Sequence, residues 1–289
     1  MIERELGRTG IKLPVVGLGT WQYRGGIEPL RTGVALGACF IDTAESYGTE
    51  EVVGQAIEGA RQKVFLATKV APRHFRYFEL IQSANESLRR LKTDYIDLYQ
   101  LHWPNYTVPI EETMGAMEEL VDVGKVRFIG VSNFMLRDLE KAQRALTKHR
   151  IVSNQVRYNL IDRTIEPCLL RYCQEHDIGV IAHSPLATNL ANIQKGDPEN
   201  VLGQLAEATG GTPAQVAIQW CCSKPGVVTI PKANLEQHVR ENSVACDIPL
   251  SSEQLQLLDR KVRFRRRSSL EIEMRRIARH MLQLVGKNQ

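Results

Sequence analysis

Four side chains able to do acid–base or electrostatic work recur at matching places along the chain: Asp42, Tyr47, Lys69 and His102. Asp42, Lys69 and His102 each fall at the C-terminal end of a short apolar run. Tyr47 follows Asp42 in the loop Thr43-Ala44-Glu45-Ser46-Tyr47-Gly48. A tyrosine has a pKa of about 10 and is a weak acid at neutral pH. A lysine cation beside it favours the phenolate and lowers that pKa; an aspartate paired to the lysine holds it and partly offsets its field. A histidine beside the phenol donates a hydrogen bond to a carbonyl oxygen. Together these groups make a general acid for an oxygen that becomes an alkoxide when hydride reaches its carbon; run backwards, they oxidise an alcohol. Each residue alone also has an ordinary structural reading: Asp42 as a helix cap, Lys69 snorkelling from a strand, His102 as a core histidine, Tyr47 as a loop side chain. The chemical reading depends on their convergence.

Convergence requires an architecture that gathers strand ends. Eight short apolar runs stand out: Val15–Gly19, Cys39–Thr43, Val64–Lys69, Ile96–His102, Arg127–Val131, Ile151–Val156, Ile178–His183 and Val227–Ile230. Most are continuous rather than alternating, as in parallel strands buried on both faces. Between them lie stripes of helical period: Glu50–Ala60, Phe78–Leu91, Ile110–Val123, Leu136–Leu146, Ile165–His176, Pro213–Cys222 and Asn234–Ala245. Eight strands alternating with helices in 289 residues predict an α/β fold, a (β/α)8 TIM barrel over residues 1–262. The competing open doubly wound sheet lacks its fingerprint, because Gln22 stands where the third glycine after Gly17 and Gly19 is needed. Turn glycines at 7 and 10 predict an N-terminal β-hairpin closing the barrel bottom. In such a barrel the site lies at the C-terminal strand ends. That adds Ser132, Asn133, Gln155, His183, Ser184 and Lys232 to the first four.

The composition limits other classes. Hydrophobic residues at 43% and charged residues at 24% exclude wholesale disorder. There is no run of eighteen apolar residues, so no transmembrane helix is expected, and the charged start Met1-Ile2-Glu3-Arg4-Glu5 predicts a cytoplasmic protein. Six scattered cysteines without a CxxC read as reduced thiols. Cys168, Cys173 and His176 diverge around one helix, so no metal site is expected.

The segments Gly17-Leu18-Gly19-Thr20-Trp21, Phe40-Ile41-Asp42-Thr43-Ala44-Glu45-Ser46-Tyr47-Gly48, Leu101-His102-Trp103-Pro104, Gly124–Phe134, Asn154-Gln155-Val156 and Ile230-Pro231-Lys232 resemble the signatures of the aldo-keto reductases, in their short-loop, bacterial-type form. The resemblance spans about residues 3–260 in order. It implies a barrel that binds NADPH in extended form, with NADH possible. It carries over Asp42, Tyr47, Lys69 and His102 as the catalytic tetrad, with Tyr47 as the acid. The presence of His102 favours reduction of C=O over C=C. Ser132, Asn133 and Gln155 match the residues that hold the carboxamide, and Ser184, Pro185 and Leu186 match the loop over the pyrophosphate. His183 stands where a stacking tyrosine is usual, and Asn189 where glycine is common, asparagine also tolerating a left-handed backbone. Lys232 matches the 2′-phosphate lysine; Ala233 replaces a common Ser/Thr and His238 a common Arg, which weakens the preference for NADPH. Glu241 and Asn242 match adenine contacts, and Thr20 and Trp21 complete the cofactor set. The expected substrate walls are Trp21, Tyr23, Trp103 and Tyr106.

The tail departs from this pattern. Residues 260–289 hold ten Lys/Arg against two Glu, leaving 27 basic and 31 acidic residues before them. Residues 263–289 predict a basic amphipathic helix, with Ser268 and Glu271 as a capping box, Gly286 as a stop and an apolar stripe of Leu270, Met274, Ile277, Met281 and Leu284. It is expected to dock on the acidic barrel, to self-associate weakly through the stripe in an otherwise monomeric protein, or to meet an anionic membrane or nucleic acid. Without interleaved aromatics, nucleic acid is the weakest of these readings. Three functions fit the whole: an NADPH-dependent reductase of small carbonyl compounds, an NAD(P)-dependent sugar or alcohol dehydrogenase on the same site, and a cofactor-binding regulatory subunit.

Overall fold

The computed structural model describes residues 2–285. Strands β1 (Glu3–Glu5) and β2 (Lys12–Pro14) pair as an antiparallel hairpin. Strands β3 (Leu18–Gly19), β4 (Phe40–Asp42), β5 (Phe65–Val70), β6 (Ile96–Leu101), β7 (Val126–Ser132), β8 (Ile151–Arg157), β9 (Gly179–His183) and β10 (Val227–Thr229) form one parallel sheet in chain order. Its edges meet. Thr229 donates its N–H to Val15 O at 2.8 Å, Gly17 donates to Thr229 O at 2.8 Å, and Gly19 donates to Pro231 O at 3.1 Å. These bonds close the sheet into the expected (β/α)8 barrel. Gly19 serves that seam sterically, since a Cβ there would lie 2.5 Å from the Ile230 carbonyl oxygen.

The lower barrel interior is apolar. Phe40, Phe65, Leu98, Val152, Ile181 and Val228 pack there with Leu6 and Leu13 of the hairpin, which plugs the N-terminal end of the barrel as expected. Each such side chain contributes ~1.5–3 kcal/mol when fully buried. A larger apolar layer separates the outer faces of the strands from the helices.

The helices are α1 (Glu28–Ala35), α2 (Glu50–Ala56), α3 (Tyr77–Leu91), α4 (Ile110–Asp122), α5 (Leu136–Ala145), α6 (Arg171–Glu175), α7 (Leu190–Gly196), α8 (Val201–Thr209), α9 (Pro213–Cys222), α10 (Glu236–Ser243), α11 (Ser252–Lys261) and α12 (Ser269–Leu284). The stripe Ile165–His176 is not one α-helix. Glu166–Leu170 forms a π turn in which Leu170 N–H reaches back five residues to Ile165 O, and only then does α6 begin.

Helix α12 docks on the barrel, and it does so through its polar face. Gln283 bonds backbone at both ends of its amide, to Pro104 O and Tyr106 N–H at 2.9 Å each. Upstream, Arg263 N–H donates to Gly196 O at 2.7 Å and Arg265 N–H to Ile161 O at 3.0 Å. Arg265 and Arg267 pair with the buried Asp162 at 3.5 and 3.3 Å. The stripe Leu270, Met274, Ile277, Met281 and Leu284 faces solvent, 52–71% exposed. Only half of the expected capping box forms. Ser268 Oγ accepts from Glu271 N–H at 3.2 Å, while the Glu271 carboxylate turns to Arg267 and Arg275. Gly286 lies outside the described residues. Among the described residues no helix is long and apolar enough to cross a membrane.

Candidate active site

Parallel register sets the site. Asp42 ends β4, Lys69 is the fifth residue of β5, and His102 follows β6 directly. After Asp42 the chain makes a 3-10 turn over Glu45–Tyr47 and leaves it through Gly48, whose φ of 67° is left-handed. The Glu45 carboxylate anchors this loop to the next strand end, accepting from Ala71 N–H at 2.7 Å and His74 Nδ1 at 2.9 Å, and also from the Ser83 hydroxyl.

The four residues converge. Lys69 Nζ donates to Asp42 Oδ2 at 2.6 Å, to Thr43 O at 2.9 Å and to the Tyr47 hydroxyl at 3.4 Å. The Tyr47 hydroxyl lies 3.3 Å from His102 Nε2, and Ser46 Oγ is 3.4 Å from His102 Nδ1. The other Asp42 oxygen accepts from Gln155 Nε2 at 2.7 Å and Gln100 Nε2 at 3.1 Å. Gly130 makes room for this layer, since a Cβ there would sit 2.9 Å from Gln100 Cγ. Lys69 and Asp42 are fully enclosed, so the pair survives only because every charged atom is bonded.

The electrostatics differ from the sequence expectation at one point. Burial raises the Tyr47 pKa and outweighs the opposing pull of Lys69, so the phenol stays above its ordinary range. Burial opposes the Lys69 charge, but Asp42 and Tyr47 outweigh it and the ammonium is held above its ordinary range. Burial, followed by the Lys69 charge and, further down, the Arg279 charge, pushes His102 down to about 3. At neutral pH the site therefore holds a protonated phenol, a cationic lysine and a neutral imidazole.

Above the four residues opens a cavity of about 540 Å³. Asp42, Tyr47 and His102 line it, with Lys69 beneath. So do Thr20, Trp21, Trp103, Ser132, Asn133, Gln155, His183, Ser184, Pro185, Leu186 and Lys232. Asn133 follows β7 with a left-handed φ of 61° and gives its amide N–H to His102 O at 3.0 Å. His183 Nε2 lies 3.1 Å from Asn133 Oδ1; burial first and then the Lys69 charge push that imidazole down to about 3.

A model of the aldo/keto reductase family matches residues 15–263. The chain belongs to that family. It is 41% identical over 261 residues to methylglyoxal reductase YeaE of Escherichia coli, covering 86% of this chain and 91% of the relative. It is 36% identical over 256 residues to glyoxal reductase of Bacillus subtilis, covering 86% and 89%. The aldo-keto reductase of Klebsiella pneumoniae crystallised with NADPH superposes with a TM-score of 0.82 at 40% identity, covering 92% of this chain and 98% of that one. The protein is thus an NAD(P)H-dependent oxidoreductase of the aldo/keto reductase family.

Several expected site residues lie outside the cavity lining. Tyr23 packs in the core, 7% exposed; its hydroxyl donates to Gly26 O at 2.8 Å and burial raises it to about 12. Tyr106 is covered by α12, its hydroxyl donating to Asp138 at 3.0 Å. Thr20 reaches the lining, but its hydroxyl is spent on Asp42 O at 3.0 Å. Asn189 is extended, with φ of −147°, and caps α7; the left-handed residues of that loop are Ser184, Ala187 and Thr188. Ala233 packs against the core edge, His238 and Glu241 lie on α10, and Asn242 is buried in it. Gln22, Ser46, Arg157, Thr188 and Arg279 also line the cavity, and Gln100 bonds Asp42, none of which spacing along the sequence reveals. Gln100 was legible only as a polar residue inside an apolar strand.

The residues present fit a dinucleotide. Ser132, Asn133 and Gln155 offer hydroxyl and amide groups at one side of the cavity, and Lys232 offers a cation at the other. Gln155 gives its N–H to Asp42, so its carbonyl oxygen is the atom left for a ligand. Left-handed non-glycine residues such as Ser184, Ala187 and Thr188 are uncommon, and this kind of strain gathers at ligand clamps.

Proposed function

We propose that this protein reduces aldehydes or ketones to alcohols with NADPH, Tyr47 delivering the proton. The observation that carries the reading is the Tyr47 hydroxyl held between Lys69 Nζ and His102 Nε2 at the floor of an open cavity. The names of the relatives support it: methylglyoxal and glyoxal are small dicarbonyls, and the Klebsiella relative was crystallised with NADPH.

When bound, NADPH would supply the hydride, and NADH would serve less well. Ser132, Asn133 and Gln155 would hold the carboxamide, with His183 facing the ring. Ser184, Pro185, Leu186 and Asn189 would cover the pyrophosphate. Lys232 would meet the 2′-phosphate, with Ala233, His238, Glu241 and Asn242 at the adenosine end and Thr20 and Trp21 along the groove. Trp21 and Trp103 wall the substrate.

The proton chemistry belongs to the four convergent residues. As negative charge grows on the carbonyl oxygen, neutral His102 donates an N–H to it and Tyr47 Oη gives up its proton. The phenolate left behind faces the Lys69 ammonium, which Asp42 holds in place, so the charge never stands alone in a buried site. The reverse sequence oxidises an alcohol.

The reading is tested by offering an aromatic aldehyde, methylglyoxal and a simple ketone with each cofactor. We expect at least one to be reduced, faster with NADPH than with NADH. Failure of all three with both cofactors contradicts it.

A further inference from the structure

Arg279 reaches the catalytic cavity from outside the barrel. It stands on α12, past Arg263 where the family match ends. Its guanidinium lies over Trp103, with Cζ 3.9 Å from the ring centroid, and lines the cavity beside His102 and Trp103. Glu273 pairs with Arg276 and Arg137. Asp138 acts on Arg279 through its charge, but its oxygen is bonded to the Tyr106 hydroxyl rather than to the guanidinium. Among the described residues Arg279 itself forms no ion pair.

Among the described lining residues the cations are Arg157, Lys232 and Arg279 and the one carboxylate is Asp42, already paired with Lys69. On the reductase reading Lys232 serves the cofactor phosphate, and Arg157 faces Asp162, so Arg279 is the cation left for a substrate. Lys232 follows β10 and Arg157 ends β8, where it faces Asp162 at 3.8 Å. Arg279 lies on the other flank, above the end of β6, next to the residues that meet the carbonyl.

We propose that Arg279 binds the carboxylate of an anionic carbonyl substrate, an aldehyde or ketone acid whose C=O lies at Tyr47 and His102. This rests on the reductase reading above and adds the substrate class. A guanidinium is weakly hydrated, and one stacked on indole keeps its N–H fork for two oxygens in one plane. A carboxylate matches that fork with both its oxygens. A phosphate dianion calls for donors on more than one side, and among the described lining residues this flank supplies one guanidinium.

The test compares 4-carboxybenzaldehyde with 4-methylbenzaldehyde in turnover, and the corresponding alcohols in calorimetric binding with and without NADP. The native protein is expected to bind 4-(hydroxymethyl)benzoate about tenfold or more tightly than 4-methylbenzyl alcohol, the scale of a charge-assisted hydrogen bond. R279M is expected to abolish that ratio, and to lower the kcat/KM ratio of acid to neutral aldehyde by a similar factor. R279K keeps the charge without the fork and is expected to lower both ratios severalfold, so the proposal stays testable if R279M does not fold. A native protein with no preference for the carboxylate, or ratios unchanged in a folded Arg279 variant, overturns the proposal. The binding ratio judges Arg279 by itself. Absence of turnover with both aldehydes counts instead against the reductase reading.

Discussion

Tyr47 has to be protonated to act as an acid, and its surroundings keep it so. Burial lifts the phenol above its ordinary range even with Lys69 at 3.4 Å, and His102 is held near about 3. The signs set a pH profile. A raised tyrosine loses its proton only on the alkaline side, so acid catalysis persists through neutral pH and falls above the ordinary phenol value of about 10. A histidine held low stays neutral across the range where an ordinary one titrates, about pH 6.5. We therefore expect kcat/KM for reduction to show no limb near neutrality and one descending limb at high pH. A limb near the ordinary histidine value, lost in His102→Gln, would contradict the placement of His102 in a dry, cation-flanked position.

Strand register makes the arrangement rigid. Lys69 pairs with Gln100 across β5 and β6, and Ser132 with Gln155 across β7 and β8, so two amides from the strands flanking β7 reach the same Asp42 oxygen. Replacing Gln100 with Leu leaves a buried carboxylate one donor short. We expect a loss of about 1–3 kcal/mol in denaturant unfolding, with kcat falling as Lys69 loses its fixed partner. Unchanged stability would show that Gln155 alone satisfies that Asp42 oxygen. The strands themselves were legible in the sequence because both of their faces are buried and the apolar runs are unbroken. The convergence of Asp42, Tyr47, Lys69 and His102 was legible because Lys, His and Tyr are not the residues that merely cap strands. Other features left no such mark. Helix α1 carries Thr32-Gly33 and too little apolar stripe to stand out, and α11 is announced by the Ser251–Gln254 capping box rather than by periodicity. Tyr23 follows a barrel strand as Trp21 does, yet one turns into the core and the other to the cavity; sequence spacing does not distinguish the two. An apolar stripe normally marks the docked face of a helix, but α12 is held by Gln283 and its arginines, which only the tertiary structure reveals.

The C-terminal segment ties the barrel together across its mouth as well as extending it. Residues 263–267 bond to Gly196, Ile161 and Arg163, and two of their arginines meet Asp162, which is 3% exposed. Ending the chain after Lys261 strips Asp162 of those cations and removes Arg279 from the cavity. Breaking a buried ionic cluster costs about 3–5 kcal/mol, and each kcal/mol lowers the melting temperature by about 2–4 °C in a protein of this size class. We expect a fall on the order of 10 °C and a changed substrate range; an unaltered melting curve with unaltered kinetics would show that the segment is an appendage. The reductase account as a whole is tested most directly by NADPH consumption with an aromatic aldehyde, the intact protein beside Tyr47→Phe. Removing one hydroxyl leaves the cavity, the Lys69–Asp42 pair and the dinucleotide groove in place. The account predicts NADPH binding close to that of the native protein, measured by fluorescence titration, with turnover lower by about 10²–10⁴-fold. Near-normal turnover by a Tyr47→Phe protein that binds NADPH would contradict it.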